Sequence, residues 1–137
     1  MRLDVLAGEA VERAQRNAPE VRFQLQADPS VVRGGPRQLE RAIGNLLDNA
    51  AKWSPPDGVV EVAVHDHELT VRDHGPGIAE EDLPFVFDRF YRAPSACGLP
   101  GSGLGLAIVR RIAEQHGGSV SAERAEGGGA SVRLELG

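Results

Sequence analysis

Leu3, Val5, Leu6, Ala10, Val11 and Ala14 recur at three- and four-residue steps, which predicts a first amphipathic helix from Leu3 to Arg16, stopped by Asn17 and Pro19. The period then changes to two. Val21, Phe23 and Leu25 alternate with Arg22, Gln24 and Gln26 as in a half-buried strand, and Val31 with Val32 suggests a short second one before Gly34, Gly35 and Pro36 interrupt. Between Pro36 and Trp53 the helical period returns in Leu39, Ala42, Ile43, Leu46, Leu47 and Ala50, with proline tolerated in the first turn, where its missing N–H has no helical partner. Ser54, Pro55, Pro56, Asp57 and Gly58 end this second helix.

Two alternating runs follow, Val60, Val62, Val64 and then Leu69, Val71, joined by a short polar link at Asp66 and His67; they read as a hairpin that ends at Asp73. Regular patterning fades from His74 to Gly103. A third helix is expected from Leu104 to His116 with Gly117 as its C-cap, then two closing strands, Ser119 to Arg124 and Ala130 to Leu136. Three helices interleaved with five or six strands give an α+β chain whose natural layering sets the helices on one face of a mixed sheet.

Composition narrows the possibilities. At 137 residues, 41% of them hydrophobic, the chain is expected to form a single domain and is long enough to bury a core. Its formal charge of −5 argues against a surface for nucleic-acid backbones but leaves room for an anion held by local N–H groups. Cys97 is the lone cysteine, too little for a disulfide or a cysteine-based metal site. No apolar stretch approaches the roughly 20 residues of a membrane span, so a soluble piece is expected.

Three groupings can carry chemistry. Arg41, Asn45, Asn49 and Lys52 fall at steps of four, four and three on the second helix. Two amides and a cation on one stripe suit a metal–triphosphate, although any solvated helix face looks similar. Asp73-His74-Gly75-Pro76-Gly77-Ile78 places an acid at a strand end beside glycines that permit close approach, where a carboxylate can accept an adenine amino proton. Gly101-Ser102-Gly103-Leu104-Gly105-Leu106 opens the third helix, whose unpaired N–H groups and dipole favour phosphate. Leu106 stands where a dinucleotide fingerprint needs its third glycine, and Lys52, the only lysine, lies in no glycine loop; neither Rossmann nor Walker chemistry is supported.

These residues carry a resemblance. Asn45-Leu46-Leu47-Asp48-Asn49-Ala50-Ala51-Lys52-Trp53-Ser54 closely resembles the N box of bacterial sensor histidine kinases, and Asp73 to Ile78 resembles their first glycine box. Phe85 to Ala93 is similar to the F box, and Gly101 to Leu106 followed by Ala107-Ile108-Val109 to the second glycine box, in the same order and spacing over nearly the whole chain. The resemblance implies a two-layer α/β sandwich shared with gyrase, mismatch-repair ATPases and heat-shock chaperones: a mixed, mostly antiparallel five-stranded sheet with three helices on one face. ATP would lie between the second and third helices under a lid at about residues 89–101.

Carried over position by position, the resemblance implies that Asn49 holds Mg²⁺, Asn45 and Lys52 approach the phosphates, and Asp73 selects adenine with Gly75, Gly77 and Ile78 around the base. Tyr91 and Arg92 would couple the lid to nucleotide, with Arg92 as the phosphate ligand and Phe87 and Phe90 as lid anchors. Gly101, Ser102, Gly103, Leu104, Gly105 and Leu106 would cradle phosphate. Trp53 stands where relatives commonly have tyrosine; stacking on adenine and packing in the core are both open to it. A second departure is Ala130, after Gly127-Gly128-Gly129, where many relatives have threonine.

By the same resemblance the activity is transfer of the γ-phosphate of Mg-ATP to a histidine outside these residues, on the protein's own dimerisation domain, and onward to a response regulator. The setting would be the cytoplasmic part of a membrane-anchored, homodimeric sensor kinase, with this piece itself monomeric. His65, His67, His74 and His116 lie in no acceptor pattern and read as surface or turn residues. Related ATPases carry a glutamate where Asn45 stands, and an amide is no general base, so rapid hydrolysis is not expected. The competing readings are an anti-sigma-factor-type serine kinase and a gyrase- or chaperone-like ATPase switch.

Overall fold

The computed structural model describes residues 2–53, 57–74, 105–124 and 129–136. Eight elements follow in the order α1 (Leu3–Asn17), β1 (Arg22–Ala27), α2 (Pro36–Trp53), β2 (Val59–His65), β3 (Glu68–Arg72), α3 (Gly105–Gln115), β4 (Ser119–Arg124) and β5 (Ala130–Glu135). The strands form one open sheet in the order β1-β2-β3-β5-β4. Only the β1–β2 pair is parallel, because α2 carries the chain back between them; the other pairs are antiparallel.

Every second residue of the central strands points to the helices. Val60, Val62 and Val64 of β2, Leu69 and Val71 of β3, and Val132 and Leu134 of β5 are buried, and Leu39, Ile43, Leu46 and Leu47 of α2 meet them with almost no exposed surface. The opposite face carries Glu61, His65, Glu123 and Arg133, held in part by exposed ion pairs such as Arg133 Nε to Glu68 Oε1 at 2.9 Å. Three helices on one face of a mixed five-stranded sheet is the α+β architecture expected from the alternation of periods.

The predicted hairpin is present. Asp66 and His67 both take positive φ, 46° and 66°, as the two-residue turn matching strand twist requires. The expected second strand at Val31–Val32 is absent. Val31 makes a single bridge to Arg2, and Val32 is buried without joining the sheet. The segment instead seats the start of α1: Ser30 accepts Leu3 N–H through its carbonyl at 2.8 Å, gives its own N–H to Asp4 at 3.2 Å, and accepts His67 N–H through its hydroxyl at 3.0 Å.

Helix α1 also closes the sheet edge. Gln15 donates to the Val21 carbonyl at 2.7 Å and accepts Phe23 N–H at 3.1 Å, so its side-chain amide stands in for a neighbouring strand along outermost β1. Leu3, Ala7, Ala10 and Ala14 of the same helix are buried.

Candidate functional site

Topology brings the described members of these groupings, Asp73, the end of α2 and the start of α3, towards one end of the sheet. Register pairs Glu61 of β2 with Arg72 of β3, so the start of β2 and the end of β3 lie together. Helix α2 reaches that start through a short connection, so its C-terminal turn, with Asn49, is at the same end. His116, Gly117 and Gly118 alone separate α3 from β4, and Ser119 pairs with Glu135 while Glu135 pairs with Glu68. The C-terminus of α3 is therefore at the opposite end of the sheet, and its N-terminus, at Gly105, points back towards Asp73.

Asp73 is buried, with 6% of its surface exposed; among the described residues only Ser30 shares that standing as a buried polar residue. The start of β5 holds it. Asp73 N–H donates to the Ala130 carbonyl at 3.0 Å, and Ala130 N–H donates to Asp73 Oδ1 at 3.3 Å. The first bond fixes the Asp73 backbone, and the Ala130 N–H orients the carboxylate without a side chain at position 130. Gly129 makes the approach possible: its φ is 83°, and a Cβ there would fall 2.0 Å from the Asp73 carbonyl oxygen.

On α2 the polar stripe winds slowly around the helix. Residues four apart drift by about 40° around a helix of 3.6 residues per turn. Arg41 and Asn45 line a shallow groove of about 190 Å³ facing α1, together with Arg13, Gly44 and Asp48. Asn49, half-buried one turn later, is not among the residues that line that groove, and α3 also packs on α2. Lys52 and Trp53 occupy the last turn of α2 and Gly105 and Leu106 the first turn of α3; the side chains of Lys52, Trp53 and Leu106 lie outside the described residues. So do Gly75, Gly77, Ile78, Tyr91, Arg92, Gly101, Ser102, Gly103 and Leu104, with the expected lid.

Among the described residues no group of three His, Cys, Asp or Glu side chains is placed to hold a metal, so a cation here would depend on a ligand's own oxygens and few protein ones. No described helix is long and apolar enough to cross a membrane. His65, His67 and His74 are exposed, in line with a surface reading. His116 departs from it: half-buried, it hydrogen-bonds through both ring nitrogens, and its partner Gly35 is 81 residues away, a distance no local pattern spans. The role of Gly129 was equally hidden, since 57 residues separate Asp73 from Ala130.

Comparison with known proteins agrees with this architecture. Residues 34–137 match the family described as histidine kinase-, DNA gyrase B-, and HSP90-like ATPase. The signal transduction histidine-protein kinase/phosphatase MprB of Mycobacterium avium (strain 104) is 46% identical over 125 residues, which cover 88% of this chain and 24% of that protein. The chain thus spans about a quarter of the length of this curated relative. The solved structure of a mycobacterial sensor histidine kinase MprB superposes with a TM-score of 0.93 at 38% identity, over 99% of this chain and 95% of that one. The ATP-binding domain of PrrB from Mycobacterium tuberculosis superposes with a TM-score of 0.80 at 29% identity, over 99% and 93%.

Proposed function

This chain belongs to the histidine kinase-, DNA gyrase B-, and HSP90-like ATPase family, and from that premise we propose that it binds Mg-ATP at the Asp73 end of the sheet and delivers the γ-phosphate to a histidine of a separate dimerisation domain. The observation that carries the reading is the Asp73 carboxylate, buried and oriented by Ala130 where the end of α2 and the start of α3 converge. A carboxylate so held suits the amino group of adenine, and the N–H groups opening α3 suit phosphate.

In this reading Asn49 supplies one hard amide oxygen to Mg²⁺, while Asn45, Lys52 and Arg92 meet phosphate oxygens. Gly75, Gly77 and Ile78 surround the base, Trp53 and Tyr91 lie beside the nucleotide, and Gly101 to Leu106 cradle its phosphates under a lid at about residues 89–101. When bound, Mg²⁺ supplies charge neutralisation on the phosphate oxygens. The chain's own part is positioning: an amide at Asn45 cannot abstract a proton from water, so the nucleotide waits for an imidazole instead of being hydrolysed. The full protein would be a membrane-anchored homodimer that passes the phosphoryl group to a response regulator.

The test mixes the chain with γ-labelled ATP, Mg²⁺ and a polypeptide carrying the dimerisation and phosphoacceptor region of the M. avium MprB, its 46%-identical relative. Acid-labile, base-stable label on that polypeptide, with none on the chain alone, is the expected result. Label on serine would favour the serine-kinase reading, and steady phosphate release without acceptor would favour the ATPase switch.

A further inference from the structure

His116, at the end of α3, takes no part in the nucleotide site described above, yet both its ring nitrogens are engaged. Gly35 N–H donates to Nε2 at 3.0 Å, and Nδ1 lies 2.8 Å from the Ile112 carbonyl one helical turn back. A backbone N–H can only donate and a carbonyl can only accept, so the two partners fix the neutral tautomer with its hydrogen on Nδ1.

The residue on the other side is shaped around the ring. A Cβ at Gly34 would fall 2.1 Å from His116 Cδ2 and 2.4 Å from Nε2, and the φ there is 155°. Gly35 in turn caps α2, its carbonyl accepting Leu39 N–H at 3.0 Å. Helix α3 holds its own end rigidly: Gly117 has φ 72°, its N–H reaches the Glu114 carbonyl, and Gly118 N–H reaches that of Ala113, closing a Schellman turn. One imidazole therefore joins the fixed C-terminus of α3 to the N-terminus of α2.

The join lies at the far end of both helices from Asp73. Helix α3 is about 16 Å long at 1.5 Å per residue, so a tilt of a few degrees about the joined end moves its N-terminus by about an ångström. Misplacement on that scale is costly at a site that works by positioning. We infer that His116 is a positioning residue for the nucleotide: by tying α3 to α2 it holds the spacing of the two helices between which ATP binds. The inference rests on the nucleotide reading above.

Mg-ATP titrations at about pH 8 test the tie. Two variants accompany the unsubstituted chain. His116→Phe keeps a flat ring against Gly34 and makes neither hydrogen bond; His116→Gln offers Gly35 an acceptor that does not ionise. The Phe variant should bind roughly tenfold more weakly while its near-ultraviolet dichroism remains native, and the Gln variant should stay within about threefold.

Rescue by Gln, which restores an acceptor for Gly35 N–H but not the ring, is the readout that bulk alone would not move. Long-range ¹H–¹⁵N spectra of the ring should show the Nδ1–H tautomer at the same pH. Unchanged affinity in the Phe variant, a Gln variant as weak as the Phe variant, or an Nε2–H ring would each overturn the inference. If the Phe variant does not fold, the Gln affinity and the ring spectrum decide. Failure of the unsubstituted chain to bind Mg-ATP would instead sink the nucleotide reading, before any variant is compared.

Discussion

The two ends of the sheet are made from the same strands and helices, yet they handle polar groups in opposite ways. At the end marked by the Asp66–His67 turn, backbone groups are paired over short distances: Ser30 serves Leu3, Asp4 and His67, Leu136 N–H reaches the His67 carbonyl at 2.9 Å, and Gly117 and Gly118 close α3. The other end combines a buried carboxylate, the last turn of α2 and the first N–H groups of α3, which have no partner within their own helix. Burying an acid is costly without hydrogen-bond partners, and the opening N–H groups of a helix favour an anion. One end thus holds the fold, and the other is shaped for an occupant.

That division can be broken by substitution. The largest effect is expected from Gly118→Ala at the closed end, because the new Cβ would lie 1.9 Å from the Glu135 carbonyl oxygen, in backbone that cannot step aside. Overpacking of this kind costs about 3 kcal/mol, which chemical denaturation would register as a lower midpoint. Next is Asn49→Ala at the open end. A half-buried polar residue on a helix should leave stability within about 0.5 kcal/mol, while Mg-ATP affinity by calorimetry falls roughly tenfold or more and its magnesium dependence shrinks. If Asn49→Ala unfolded the chain, or Gly118→Ala left its stability intact, the contrast between the ends would be lost.

Gln15→Ala sharpens the comparison from outside it, by uncovering the edge of β1. About 1 kcal/mol of stability should go with the two hydrogen bonds to Val21 and Phe23, with no change in nucleotide affinity. The smallest effect belongs to His65, whose ring nitrogens lie 2.9 Å from Asp28 Oδ2 and 3.1 Å from Asp66 Oδ2. The hydrogen bond to Asp28, then the charge of Asp66, raises its pKa. A raised folded value means stabilisation that is complete below the unfolded histidine value of about 6.5 and is lost as pH rises through the folded one. His65→Gln should therefore lower the melting temperature slightly at about pH 5.5 and leave it unchanged at about pH 8.5, an effect that salt reduces because the pair is exposed.

Periodicity made most of the fold legible, because each element buries one face against a single core. The bounds of α2 at Pro36 and Trp53 and the hairpin turn at Asp66 and His67 follow from residues only a few positions apart. Val31 and Val32 misled for the same reason: two β-branched residues fit a strand, but their partner is the start of α1, which no local pattern reveals. Asp73, Asn49 and the glycines before α3 were recognisable as a candidate site from residue type and spacing. The groups that hold the site in place were not. Gly129 entered only as a residue before Ala130 and His116 as a surface or turn histidine, because their contacts are with Asp73 and Gly35, far away in the sequence.

Asp73 is the residue on which the functional account turns, and calorimetric titration with Mg-ATP and with Mg-GTP tests it most directly. The unsubstituted chain should bind ATP saturably and prefer it to GTP, whose six-position carbonyl offers the carboxylate no proton. Asp73→Asn should weaken ATP binding by roughly a hundredfold while the chain stays folded, since the amide oxygen can still accept Ala130 N–H. A chain that binds ATP and GTP equally, or an Asn variant that binds ATP as tightly as the original, would contradict the account.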